Sequence, residues 1–259
     1  MRKVLRADTE RGKEDGEIWD KLDLGPNTTL FLKRVYASGL DRYVRRLEAL
    51  GFSGGFRALD AGCGLGQWSF ALAGLCNEVH GVDVSHDRIT ACEKIGSALK
   101  IKNAQFLTSN LETLPFQGGY FDRVLCYSVL NLAHYEKSIE EISRVTKSGG
   151  LVYISTNGIG RYIYDIVECP NPAPDFNPRK YGALTLWNTL IGKRRGLSPQ
   201  TGGVVTSKLR TIGLLRHNGF EIIDSGPEGQ LRGGTESFLS GRYWGLVSTF
   251  DVLARKCEC

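Results

Sequence analysis

No stretch of this 259-residue sequence is both apolar and long enough to cross a bilayer, which takes about 20 residues. The longest charge-free segments, such as 61–77, are rich in glycine, so no transmembrane helix and no membrane partner are expected. The N-terminal MRKVLRADTERGKEDGE begins basic but turns polar and acidic where a secretory peptide would carry its apolar segment. A cytoplasmic location is therefore expected. The C-x-x-C pair is missing as well. The seven cysteines, Cys63, Cys76, Cys92, Cys126, Cys169, Cys257 and Cys259, are odd in number and scattered, which suggests neither a disulfide framework nor a zinc site. The closing C-x-C reads as a tail rather than a metal clip. There is no internal repeat and no low-complexity tract.

Neither sign of charge dominates. With 33 basic residues against 28 acidic ones the net charge is +5, which suits an anionic substrate without establishing one. The cluster Lys193-Arg194-Arg195 reads as a solvated face. A composition of 41% hydrophobic and 24% charged residues excludes a disordered tail, a collagen-like fibre and a coiled coil. The length is roughly 1.7 times the ~150-residue domain prior, room for one elaborated α/β domain.

From Phe56 onward, short apolar strand-like runs alternate with helix-like ones, the pattern of a parallel sheet covered by helices. Strands are expected at 56–62, 78–84, 104–109, 120–128 and 151–156. Helices are expected at 67–75, 85–99 and 138–147, the last closed by Gly149 and Gly150. A helical arm precedes this block, with helices at 18–24, 29–36 and 40–50. After it, residues 158–206 read as an insert: a proline-rich loop at 169–178 between helices at 159–168 and 180–194. Such a long, structured connection suits a lid or binding element. A helix and strand within 207–226 and a last strand at 245–256 complete the chain. The arm is taken as 1–55 and the domain as 56–259, with the insert as its substrate cap.

The decisive segment is ALDAGCGLGQWSFAL, 58–72. An apolar strand ends in Asp60 and runs into Gly62, Gly64 and Gly66 just before a helix. Glycines permit positive φ and let a backbone approach a ligand closely, so a nucleotide-like ligand is the expected tenant. In the dinucleotide fingerprint G-x-G-x-x-G the third glycine would stand at 67, where this chain has Gln67. That argues against NAD and an oxidoreductase. The second landmark is Asp83, seventeen positions past Gly66 at the end of the second strand, where a carboxylate can accept from both hydroxyls of a ribose.

The G-x-G-x-G run resembles that of the class I, seven-stranded Rossmann-like S-adenosylmethionine-dependent methyltransferases. Two further runs are similar to the same family: Asn110-Leu111-Glu112-Thr113-Leu114-Pro115-Phe116, like its D-A-E-x-L-P-F element, and 121–150, whose end resembles R-V-L-K-P-G-G with Ser148 for proline. The resemblance covers residues 56–156. It implies an α/β Rossmann-like sheet, mostly parallel with an antiparallel last strand and helices on both faces. It also implies S-adenosyl-L-methionine as cofactor, leaving as S-adenosyl-L-homocysteine. The residues it assigns to the cofactor are Asp60, Gly62, Cys63, Gly64, Gly66, Gln67, Asp83, Val84, Asn110, Leu111 and Tyr127. At Asn110 the charge of the family's aspartate is gone, though an amide oxygen can still accept from the adenine amine; the alternative is that Asn110 only shapes a turn.

Methyl transfer from a sulfonium is an in-line substitution, so the protein must align the acceptor, exclude water and remove a proton where the acceptor demands it. No metal is required and no cluster with ligand spacing proposes one. Among four histidines, His134 in the loop after the fourth strand is the candidate base, with Tyr135 and Tyr127 as alternatives. His80 and His217 read as structural, and His86 opens a helix. Trp19, Tyr36 and Arg42 could close over the methionine portion. Tyr162, Tyr164, Phe176, Tyr181 and Trp187 make the insert aromatic enough to line a substrate site, or simply to pack. The expected acceptor is an oxygen or nitrogen of a small molecule. A nucleic-acid substrate is not expected, because Tyr127-Ser128-Val129-Leu130 stands where N-P-P-Y would follow the fourth strand. A noncatalytic partner subunit remains an alternative, and a homodimer is left open.

Overall fold

The computed structural model describes residues 39–170, 176–193, 195–233 and 236–258, together with 23–25, 29, 30, 32, 33 and 36. Seven strands form a mixed α/β sheet. The chain divides into two compact units, Met1–Asn110 and Leu111–Cys259.

The first unit carries α1 (Asp41–Ala49), β1 (Arg57–Ala61), α2 (Gln67–Ala73), β2 (Glu78–Asp83), α3 (His86–Ala98) and β3 (Ala104–Thr108). Its strands run parallel in the order β3-β2-β1, with Asp60 beside Gly81 and Asp83 beside Thr108. Unbroken buried runs in β1 and β2, rather than alternation, are what a parallel sheet covered on both faces needs. Helix α1 buries Tyr43 and Leu47 and ends at Gly51, whose φ is +83°. There the Phe52 N–H reaches Leu47 O at 2.9 Å and the Gly51 N–H reaches Glu48 O at 3.0 Å. This double bond pattern satisfies carbonyls the helix would leave bare, and a residue with a Cβ at Gly51 would cost about 1 kcal/mol. Tyr43 then meets Trp68 edge-on, centroids 4.8 Å apart, which seats α1 on α2. Within β2, a Cβ on Gly81 would lie 2.7 Å from the Phe106 ring and 3.0 Å from Ser69 Oγ, so glycine lets both neighbours close on the strand.

The second unit carries β4 (Phe121–Tyr127), α4 (Tyr135–Val145), β5 (Thr146–Asn157), α5 (Ile159–Glu168), α6 (Pro178–Leu190), α7 (Lys208–His217), β6 (Phe220–Pro227), β7 (Arg242–Tyr243), β8 (Leu246–Val247) and β9 (Thr249–Lys256). Its principal strands lie in the order β4-β5-β9-β6. Strands β4 and β5 are parallel, and β9 is antiparallel to both of its neighbours, as the family resemblance implied for the last strand. Val124, Leu125, Val152, Ile154, Val252 and Leu253 are wholly buried and form the centre of this unit's core.

Several boundaries differ from the expected ones. Helix α4 ends at Val145, and Gly149 and Gly150 belong to β5 rather than to a helix stop. The β4–β5 register jumps from Phe121–Thr146 to Arg123–Leu151, so the glycines sit in a bulge. Gly149 takes φ +74°, and a Cβ on Gly150 would come within 2.8 Å of Lys147 O. Helix α6 starts at 178 rather than 180, because Pro178 suits the first helical turn and Asn177 accepts from the Lys180 N–H at 3.1 Å. The final strand begins at Thr249; before it, Trp244 and Gly245, both at positive φ, turn β7 back onto β8. The helix expected over 18–24, except for residues 23 and 24, lies outside the described residues, as do Trp19, positions 31, 34 and 35 of the 29–36 helix, positions 171–175 of the proline-rich loop, Arg194 and Cys259. Among the described residues no helix is long and apolar enough to cross a membrane.

Candidate functional site

The loop between β1 and α2 is tied to β2 by its own backbone: the N–H groups of Gly62 and Cys63 both donate to Val82 O at 2.8 Å. The Gly66 N–H closes the turn on Cys63 O at 2.9 Å. Gly62, Gly64 and Gly66 all have positive φ, +88°, +56° and +81°. Their reasons differ. A Cβ on Gly66 would strike the Phe70 ring at 2.7 Å and approach Cys92 Sγ at 3.1 Å, whereas a Cβ on Gly64 would meet nothing within 4 Å. Gly66 is needed for packing; Gly64 keeps open space over the loop.

Asp83 joins this loop to the end of β2. Its carboxylate is buried, Oδ2 accepts from the Gly64 N–H at 3.0 Å, and Oδ1 accepts from the Ser85 N–H at 2.9 Å. Arg88 Nη1 stands 3.6 Å from Oδ2. A carboxylate offers about four lone-pair positions, so capacity for further donors remains after the two backbone bonds. Ser85 in turn caps α3, accepting from the Arg88 N–H.

Asp60 is 1% exposed and accepts from Ser69 Oγ at 2.6 Å. Burial pushes its carboxyl up to about 7, the Ser69 bond pulls it down, and the nearby Asp83 charge raises it again. Cys63 packs with Ile89, Cys92 and Phe106. Its hydrogen bond to Cys92, and then burial, hold its thiol above the ordinary range. Gln67 Oε1 is buried with no hydrogen-bond donor among the described residues. Val84, 75% exposed, presents an apolar surface beside Asp83, and Asn110 is exposed at the end of the unit. His86 lies against Thr108 Oγ1 at 3.4 Å, and His80 is paired with Glu78 at 2.7 Å, a structural role for the latter.

Residues 59–154 match the family model described as a methyltransferase domain. Over that segment the chain is similar to methyltransferase domains. A demethylmenaquinone methyltransferase of Bacillus mycoides (strain KBAB4) is 33% identical over 102 residues, 38% of this chain and 43% of that protein. The chain thus spans less than half the length of the curated relatives it matches. Geranyl diphosphate C-methyltransferase from Streptomyces coelicolor A3(2), solved with Mg2+, geranyl diphosphate and S-adenosyl-L-homocysteine, is 16% identical with a TM-score of 0.59, covering 83% of this chain and 78% of that one. The cyclase SpnF is equally near in fold, 18% identical with a TM-score of 0.59, over 86% of this chain and 83% of its own. A cyclase on the same framework shows that the fold leaves the reaction open.

The remaining candidates lie in the second unit. Leu111 is buried. The Tyr127 hydroxyl donates to Glu228 Oε1 at 3.0 Å, and burial followed by the Glu228 charge pushes it well above its usual range. Glu228, 2% exposed, also accepts from Ser237 Oγ at 2.7 Å and from the N–H groups of Phe238 and Leu239 at 3.1 and 3.3 Å. It ties the 237–239 segment to β4. No sequence signal could have found it, since Glu228 stands 101 positions from Tyr127. His134 stands at the N-terminal boundary of α4 without a side-chain capping bond, its backbone N–H donating to Glu112 Oε1 at 3.2 Å and its Nδ1 3.5 Å from Glu136 Oε2. Tyr135 is committed to packing: its hydroxyl bonds Thr211 on α7, and burial pushes it up to about 12. His217 is the last residue of α7.

Proposed function

We propose that this protein transfers a methyl group from S-adenosylmethionine to an oxygen or nitrogen atom of a small molecule. The observation that carries the reading is the Asp83 carboxylate bound to the Gly64 N–H, beside a loop whose middle glycine faces open space. The site suits the cofactor on three counts: spare acceptor capacity on Asp83 for ribose hydroxyls, the orphaned Gln67 Oε1, and the room above Gly64. When bound, S-adenosylmethionine supplies an electrophilic methyl on a good leaving group. Asp83 would hold the ribose, Val84 would lie against the adenine, and Asn110 would accept from its amine. Buried Asp60 is placed to stiffen the loop through Ser69 on α2. If the acceptor is a hydroxyl, His134 in its neutral form takes the proton at Nε2, with Nδ1 turned toward Glu136.

Relatives named for demethylmenaquinone and geranyl diphosphate support a small-molecule acceptor. Calorimetry with S-adenosylhomocysteine and NADH side by side tests the cofactor. Binding of the first and not the second is expected, and the reverse would overturn the reading. A nucleic-acid substrate would instead show as RNA affinity falling steeply with salt.

A further inference from the structure

The second unit contains a cavity of about 240 Å³ that the cofactor reading does not use. It lies beyond the carboxyl ends of β4 and β5, where ligands gather in α/β sheets. Ser128 follows β4, Asn157 ends β5, and α5 and α6 add Arg161, Asp165 and Tyr181. Ser128 has φ +60°, a conformation its type rarely adopts, and its Oγ accepts from Asn157 Nδ2 at 3.4 Å. Among the described lining residues, Arg161 and Asp165 alone carry charge.

The polar groups are incompletely used. Asp165, 1% exposed, takes only one nitrogen of its partner: Arg161 Nε donates to Oδ2 at 3.2 Å and stands 3.1 Å from Oδ1. No described residue accepts from either Nη. Asn131, 2% exposed, donates through Nδ2 to the Tyr181 hydroxyl at 2.9 Å, while its Oδ1 is buried with no donor. Leaving such an acceptor bare is unfavourable, and a ligand donor would relieve it. Phe176 and Tyr181, centroids 5.6 Å apart, give the cavity an aromatic wall. The volume falls below the roughly 300–1,000 Å³ of drug-sized sites, so the occupant is small.

We propose that this cavity binds the oxyanion of a small, ring-bearing acid, held by the two Nη groups of Arg161, with a hydroxyl or amine of the same ligand donating to Asn131 Oδ1. A planar guanidinium held at Nε presents its outer edge as a fork that matches carboxylate or phosphate. The inference rests on the small-molecule reading above and names the acceptor's chemical class.

The test is calorimetry of the full chain with 2-hydroxybenzoate, with its neutral amide 2-hydroxybenzamide, and with phenyl phosphate. One of the acids should bind at least tenfold more tightly than the amide. That preference should vanish in the double variant Arg161→Gln/Asp165→Asn, which removes the guanidinium without leaving a bare buried carboxylate. Tighter binding of phenyl phosphate would identify the anion as phosphate, and tighter binding of 2-hydroxybenzoate as carboxylate. Acids and amide binding alike, a preference that survives in the double variant, or no binding of either acid at millimolar concentration would each overturn the proposal. S-adenosylhomocysteine titrated into the same samples separates the two readings. If it binds while the acid preference is missing, the cavity assignment alone fails; if it does not bind wild type, the proposed function fails first.

Discussion

Replacing Asp60 by asparagine should make the protein more stable at neutral pH and leave it nearly unchanged in acid. Asp60 is buried at the end of β1, and its carboxyl sits at about 7 against 3.8 for an exposed aspartate. Between those values the folded chain keeps the proton and the unfolded chain releases it. Stability therefore falls as pH rises through this window, at about 1.4 kcal/mol per unit. Across the whole interval the loss approaches roughly 4 kcal/mol at pH 7 and above. An asparagine side chain carries no charge and still offers an amide oxygen to Ser69, so the variant escapes this penalty and keeps the bond to α2. Lowered carboxylates such as Glu78, held down by Arg57, act with the opposite sign, so the quantity to follow is variant minus wild type. Urea unfolding at pH 4, 5.5, 7 and 8 supplies it. The difference should be near zero at pH 4 and grow to several kcal/mol by pH 8. A flat difference, or one that shrinks with pH, would refute the assignment of Asp60 as a desolvated acid.

The cofactor assignment makes its own demands. Asp83→Ala removes the acceptor of the Gly64 and Ser85 N–H groups as well as any ribose contact, so S-adenosylhomocysteine should bind at least roughly tenfold more weakly by calorimetry. In Gly64→Val the branched side chain enters the open space over the loop at φ +56°, and binding should be lost; wild-type affinity in both variants would refute the site. For His134→Ala, the acid limb of the pH–rate profile should disappear with a hydroxyl acceptor, and an unchanged profile would remove it as the base. Glu228→Ala strips four donors of their acceptor, Tyr127, Ser237, Phe238 and Leu239, and should cost about 3 kcal/mol or more in urea unfolding, with faster hydrogen exchange at 238 and 239. An exchange pattern like that of wild type would show that Glu228 does not hold this segment.

What the sequence determined by itself was local. Three glycines and an aspartate at fixed spacing announced a strand, a sharp turn and a helix, because positive φ and close backbone approach depend on residues adjacent in the chain. The alternating elements β1, α2, β2, α3 and β3 were legible for the same reason, each end marked by glycine, serine or a change of period. The Gly149-Gly150 pair was misleading because a helix stop and a β-bulge use glycine alike, and only the partner strand β4 decides between them. Other features belonged to the tertiary structure alone. Asp60 reads in the sequence as one more strand-end acid, and only burial raises its carboxyl. Glu228 finds Tyr127 across 101 positions, and the cavity around Arg161 unites residues from Ser128 to Leu239. Burial and pairing over such separations depend on how elements pack, a property no window of sequence contains.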